Sequence, residues 1–260
     1  MAIPTVKIGD LDVSRLIIGG NPFSGFSHQG PERNEEMMNY YTVERIKETL
    51  FQCQSGSMNT CILRVDAHIW RMLREFRNEG GTMNWFAQLG GLHPTEEGNI
   101  DRSVANGAAA HFIHGGIVER YYKEGDFDRL AHLLDHIHSK GIPAGVAAHA
   151  PEVHLEIHKR GLPVDFHMVC FYNCGSVHEG KGDKFDPADP AKAVEAIQAI
   201  DKPCIGYKIM AAGRRDARES FEYAFANIKP TDTVCVGMHR GDNDDMIKEN
   251  IAMVEEILGA

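Results

Sequence analysis

The chain has 260 residues, 43% of them apolar and 25% charged, and a formal net charge of −10. That length supplies one large core and falls short of two full enzyme domains, so a single domain over residues 1–260 is expected. The acidic balance offers no electrostatic footprint for nucleic acid or an anionic membrane, which leaves a small diffusible substrate as the simpler expectation and a homo-oligomer open.

The opening residues, Met1 to Asp10, have neither the basic segment nor the apolar core of a secretory signal. No apolar run approaches the roughly 20 residues of a bilayer crossing, and a cytoplasmic protein is expected. Cys53, Cys61, Cys170, Cys174, Cys204 and Cys235 are widely spread, which predicts free buried thiols rather than a disulfide framework. Only Cys170 and Cys174 are close, and without a second pair their spacing is a weak metal signal.

After a short leading segment, strand-like and helix-like patterns alternate to the end of the chain. A first strand at Arg15 to Gly20 is followed by a long loop and a helix from Thr42 to Gln54. Strands at Asn59 to Val65, Met83 to Gln88 and Ala109 to His114 are followed by helices that end near Phe76, surround Ser103, and run from Asp126 to Ser139. Strands at Pro143 to Ala148, Val164 to Phe171, Pro203 to Ile209 and Thr233 to Met238 complete the series. Their helices are Pro151 to Arg160, Pro190 to Ile200, Asp216 to Ala226 and Asp245 to Leu258. In the last helix Ile247, Ile251, Val254 and Leu258 draw one apolar stripe, as Phe127, Leu130, Leu134 and Ile137 do earlier.

Eight strand–helix units in this length predict a closed α/β barrel, the (β/α)8 TIM barrel, rather than an open doubly wound sheet. Neither a GxGxxG nor a GxxxxGK[ST] motif is present. The connections Asn21 to Tyr41, Gly115 to Gly125 and Asn173 to Asp189 are long, and they follow strands, whereas helix-to-strand turns such as Lys202-Pro203 are tight. Recognition and chemistry are therefore expected on the face formed by the carboxyl ends of the strands.

Three stretches, in order, resemble the aldo/keto reductases. Leu11-Asp12-Val13-Ser14-Arg15-Leu16-Ile17-Ile18-Gly19-Gly20 is similar to that family's opening segment. Gly145 to Glu152, Gly161-Leu162-Pro163-Val164-Asp165 and Tyr172-Asn173 are similar to its middle. Val236-Gly237-Met238, Glu249-Asn250-Ile251 and Glu255-Glu256-Ile257-Leu258 are similar to its tail. The resemblance implies a barrel fold and, in an intact member, NADPH-dependent reduction of a carbonyl by a tyrosine, lysine, aspartate and histidine. Here Ile62 stands where the aspartate falls, Ala67 near the tyrosine and Gln88 at the lysine; only His114 matches. The sequence thus reads as a divergent aldo/keto reductase-like barrel without most of the reductase tetrad. A glutamine does not depress a phenol's pKa, and an alanine has no proton to give.

The same strand ends carry other polar groups. Arg64 and Asp66 end the second strand, His114 the fourth, His149 the fifth, Lys208 the seventh, and His239-Arg240 the eighth. His132, His136, His138, His154 and His158 lie in helices and read as surface or packing residues, while alternation leaves His167 open to either side. His114, His149, Lys208 and Arg64 are the catalytic candidates; Gln88, Asp66, Arg214 and Tyr172 are the substrate-binding candidates. Asp66, His114, His149 and His239 form a candidate ligand set for a divalent metal such as Zn²⁺ or Mn²⁺.

Without a metal, a neutral imidazole can take a proton beside a carbonyl while Lys208 or Arg64 stabilises the enolate. Lys208 could also form a Schiff base, and Arg214 and Arg215, at a helix start, could bind a substrate phosphate or carboxylate. The favoured expectation is a lyase or isomerase/epimerase of carbohydrate metabolism acting by proton transfer on a small sugar-derived or polyol carbonyl compound. An NADPH-dependent reductase and a non-catalytic metabolite-binding barrel are the alternatives.

Overall fold

The computed structural model describes residues 2–90, 93–174 and 186–260. The chain opens with an antiparallel hairpin, β1 (Thr5–Ile8) and β2 (Leu11–Ser14). Gly9, at φ +57°, supplies the left-handed residue that its two-residue turn requires. The eight strands that follow are parallel and close into a barrel: β3 (Leu16–Gly19), β4 (Thr60–Arg64), β5 (Asn84–Gln88), β6 (Ala110–Ile113), β7 (Ala144–Ala148), β8 (Phe166–Cys170), β9 (Cys204–Tyr207) and β10 (Thr233–Gly237). Closure is made where Val234, Cys235, Val236 and Gly237 of β10 pair with Leu16, Ile17, Ile18 and Gly19 of β3.

Strand alternation divides the apolar residues between two layers. Ile17, Ile62, Phe86, Phe112, Ala147, Phe166, Met168, Ile205 and Cys235 fill the barrel interior, and Val6, Ile8 and Val13 of the hairpin join the same cluster and plug one end. Each fully buried phenylalanine contributes roughly 1.5–3 kcal/mol. The intervening residues, among them Leu63, Trp85, Ile113 and Val146, face outward against the helices.

The helices are α1 (Pro31–Tyr40), α2 (Val43–Ser55), α3 (Ala67–Asn78), α4 (Glu96–Ala105), α5 (Gly115–Glu124), α6 (Phe127–His138), α7 (Pro151–Lys159), α8 (Asp189–Ala199), α9 (Ala217–Asn227) and α10 (Met246–Leu258). Side chains of Thr42, Asp66, Thr95, Asp126 and Asp216 cap five of them by accepting a backbone N–H three residues on, each worth about 1 kcal/mol. Ile247, Ile251 and Val254 are buried as their stripe predicts, and Leu258 is half-buried. No helix among the described residues is long and apolar enough to cross a membrane.

Two of the three connections expected to be loops are in fact helical. Pro31 at the first turn opens α1 within the first, and the second is α5, which ends at Gly125 in the left-handed conformation. Much of the third, between Asn173 and Asp189, lies outside the described residues. The six cysteines are free and buried, as their spread predicts. His154 and His167 face the helix layer, not the barrel, with their Nδ1 atoms 3.1 Å apart.

Candidate active site

The alternation that fills the barrel also aims the polar residues at its carboxyl end. Two residues beyond interior Ile62, Phe86, Phe112 and Ala147 come Arg64, Gln88, His114 and His149. With Lys208 and His239 they line one cavity of about 520 Å³, whose apolar floor includes Phe112, Met168 and Cys235. Strand register brings Arg64 directly beside Gln88. Ile62, Gln88 and His114, three of the positions matched to the reductase tetrad, line this cavity together, while Ala67 is the exposed first residue of α3.

His149 has a partner that sequence reasoning missed. Glu119, on α5, accepts the His149 backbone N–H at 2.6 Å and lies 3.2 Å from its Nδ1 through the same Oε1. Burial pushes the Glu119 carboxyl up, but hydrogen bonds from the His149 ring and backbone outweigh it and hold the group below the usual carboxylate range. A carboxylate at Nδ1 requires the proton there, which leaves the lone pair on Nε2, the form of a general base.

His114 has the opposite polarity. It precedes α5, and its Nδ1 accepts the Gly116 N–H at 3.2 Å. Burial, then His149, Arg64 and Lys208, depress its imidazolium to a pKa of about 4, so at neutral pH the ring is uncharged. With Nδ1 used as an acceptor, the ring proton resides on Nε2, a hydrogen-bond donor. The cavity therefore combines an imidazole acceptor with an imidazole donor.

Two cations complete it. Arg64 stacks over the Phe26 ring, 4.7 Å from its centroid. The Lys208 Nζ is buried without a hydrogen-bond partner among the described residues, 5.9 Å from the Tyr207 ring centroid. Lys208 holds φ at +55°, with Ala211 at +48° and Ala212 at +57° in the same loop. Such left-handed non-glycine residues each cost on the order of 1–3 kcal/mol and cluster at functional sites. The Tyr207 hydroxyl is committed to the Ala148 carbonyl at 3.1 Å, and burial pushes its pKa well up.

Three substrate-binding candidates have other positions. The Asp66 carboxylate caps α3 by accepting the Ile69 N–H at 2.9 Å, because the chain turns into the helix right after β4. The Arg214 guanidinium binds the carbonyls of Ala211 and His28 and ties two loops together. Tyr172 packs against the outer core. None of the three is among the residues that line the cavity.

Nor does the expected metal set converge. Asp66 is spent on its cap, Nδ1 of His114 on a backbone N–H and Nδ1 of His149 on Glu119, while His239 packs against Tyr40 and Tyr41. Among the described residues, the group whose ligand atoms do lie within 4.8 Å of one another is Glu36, His239 and Asp242. Arg33 forms ion pairs with both of its carboxylates, which offsets one of their two negative charges. The expected set of Asp66, His114, His149 and His239 does not come together among the described residues, and no chemical step is assigned to a metal.

No family model matches the chain, and no curated protein does. Solved structures do. PA4992 from Pseudomonas aeruginosa, classed with the aldo-keto reductases, is 18% identical, with a TM-score of 0.66 over 98% of this chain and 95% of its own. The aldo-keto reductase AKR11C1 from Bacillus halodurans is 14% identical, with a TM-score of 0.63 over 98% of this chain and 91% of its own. A truncated 3-deoxy-D-arabino-heptulosonate 7-phosphate synthase from Thermotoga maritima is 16% identical, with a TM-score of 0.58 over 99% and 92%. The fold is an aldo/keto reductase-like TIM barrel, as the sequence predicts.

Proposed function

We propose that the protein is a lyase or isomerase/epimerase that acts by proton transfer on a small sugar-derived or polyol carbonyl compound. The observation that carries this reading is the pairing of His149 and Glu119 beside the neutral His114 in one cavity. Nε2 of His149 removes a proton from the carbon next to the carbonyl, and Glu119 stabilises the imidazolium that forms. Nε2–H of His114 donates to the developing enolate oxygen, with Arg64 and Lys208 supplying positive charge. Return of the proton to another carbon or the other face gives isomerisation or epimerisation; expulsion of a β-hydroxyl from the enolate as water, protonated by the His149 imidazolium, gives a lyase.

The competing reading, reduction by NADPH, has the fold on its side but lacks a proton donor at Ala67 and a lysine at Gln88. Turnover of a panel of hydroxylated aldehydes and ketones tests the proposal. His114→Ala and His149→Ala should abolish turnover with the fold intact by circular dichroism, and activity unchanged in both would remove it. Saturable quenching on NADPH titration, with substrate-dependent oxidation of the cofactor, would establish the reductase instead.

A further inference from the structure

The chain is strongly acidic, yet its cavity is not. Among the charged residues that line it, Arg33 and Asp242 pair with each other, which leaves Arg64 and Lys208. Among the described residues neither of these forms an ion pair, and the Lys208 Nζ has no hydrogen-bond partner. The nearby carboxylate, Glu119, is engaged by His149. A buried ammonium without a counter-charge is costly, and a strained backbone holds this one in place. An anionic ligand would remove that cost.

The kind of anion follows from what surrounds the cations. Barrels commonly bind phosphate at the loops after their seventh and eighth strands, through helix-start N–H groups. Here those positions carry acids. Asp216 caps α9, and Asp242, Asp244 and Asp245 precede α10. Asp242 and Asp244 are paired with Arg33 and Arg240, the Arg214 guanidinium binds the carbonyls of Ala211 and His28, and Asp216 already takes the Glu219 N–H, so the groups at these helix starts are engaged within the protein. Arg64, by contrast, presents a planar fork beside apolar surface, on strand β4 on the other side of β3 from those loops, which suits a carboxylate.

We infer that the substrate carries a carboxylate next to its reacting carbonyl, as in a 2-oxo acid, held by Arg64 and Lys208. This rests on the proton-transfer reading of the same cavity. With the carboxylate adjacent to the carbonyl, the two cations serve both the ground-state anion and the enolate oxygen, while His149 faces the carbon that loses its proton.

Calorimetric titration of the full chain with pyruvate, inorganic phosphate and the neutral ketone dihydroxyacetone tests the inference. Pyruvate should bind saturably at millimolar concentrations, and Arg64→Gln and Lys208→Met should each weaken it at least about tenfold, a loss of about 1.4 kcal/mol. Both variants should retain the wild-type circular dichroism, with Arg64→Gln melting close to wild type and Lys208→Met at or above it; should Arg64→Gln fail that control, Arg64→Lys, which keeps the charge but not the fork, replaces it with an intermediate loss expected. Phosphate binding tighter than pyruvate, dihydroxyacetone binding as well as pyruvate, or no pyruvate binding at tens of millimolar would overturn it. Exchange of dihydroxyacetone protons with solvent without pyruvate binding would sink this inference and leave the proton-transfer reading standing. Loss of all exchange with pyruvate still bound would do the reverse.

Discussion

Acidification offers a stringent check on the packing. His111 is fully buried on the helix side of β6, neither ring nitrogen has a hydrogen-bond partner among the described residues, and burial lowers its pKa from 6.5 to about 3. Burial likewise lowers His154 to about 4 and His167 well below its usual value. The sign follows from proton uptake: between these values and 6.5 the unfolded chain binds protons that the folded chain does not, so stability falls as pH falls through that window. At about pH 4.5, two units below the ordinary imidazole value, His111 alone costs on the order of 2.7 kcal/mol, at 1.36 kcal/mol per unit. Set against a typical total of about 5–15 kcal/mol, three such histidines remove much of the stability of the fold. Urea melts from about pH 5 to 7 measure this above the range in which carboxylates titrate. His111→Leu should lower the slope of stability against pH by up to about 1.4 kcal/mol per unit and leave neutral-pH stability unchanged or raised by ~1–3 kcal/mol. An unchanged slope in His111→Leu would refute the argument.

Further outcomes follow from the site and the packing. Glu119→Gln should reduce proton-transfer activity by about 10²-fold in assays of the purified variant, because the imidazolium formed at His149 loses its anionic neighbour. Nitrogen NMR of His114 should show a neutral ring protonated on Nε2 down to about pH 5, since its pKa is about 4. Asp66→Ala should cost about 1 kcal/mol in denaturant melts, the value of its cap, without loss of activity. Gly145→Ala would place a Cβ 2.4 Å from Cζ of Phe166 inside the barrel. It should destabilise by roughly 1–3 kcal/mol, read by the same melts.

The barrel was legible because parallel strands and amphipathic helices impose different periods on the same chain, and eight alternations leave few other closures. Most of the cavity was legible for a related reason: Arg64, Gln88, His114, His149, Lys208 and His239 all end strands, and strand ends meet in a closed barrel. Glu119 escaped because Gly115-Gly116 reads as a loop, although Val118, Tyr121 and Gly125 carried the spacing and stop signal of a helix. Helix α1 buries only Met37 and draws no stripe; Pro31 after Gly30 was its one local sign. The hairpin β1–β2 was signalled by Gly9-Asp10 between two alternating runs. Asp66 was read as a site residue because it continues the line of Arg64, yet an aspartate three residues before the first buried helical position is a cap. What pairs with what across the barrel, such as Arg33 with Asp242, depends on side-chain reach between distant segments, which local pattern does not encode.

The most direct measurement is proton NMR of candidate substrates in D2O, following deuterium incorporation at the carbon beside the carbonyl. Wild-type protein should exchange that position without added cofactor, and His149→Ala should lose the exchange while Asp66→Ala retains it. Exchange that persists in His149→Ala, or a substrate converted only with NADPH and without solvent deuterium at that carbon, would contradict the assignment of His149 as the base.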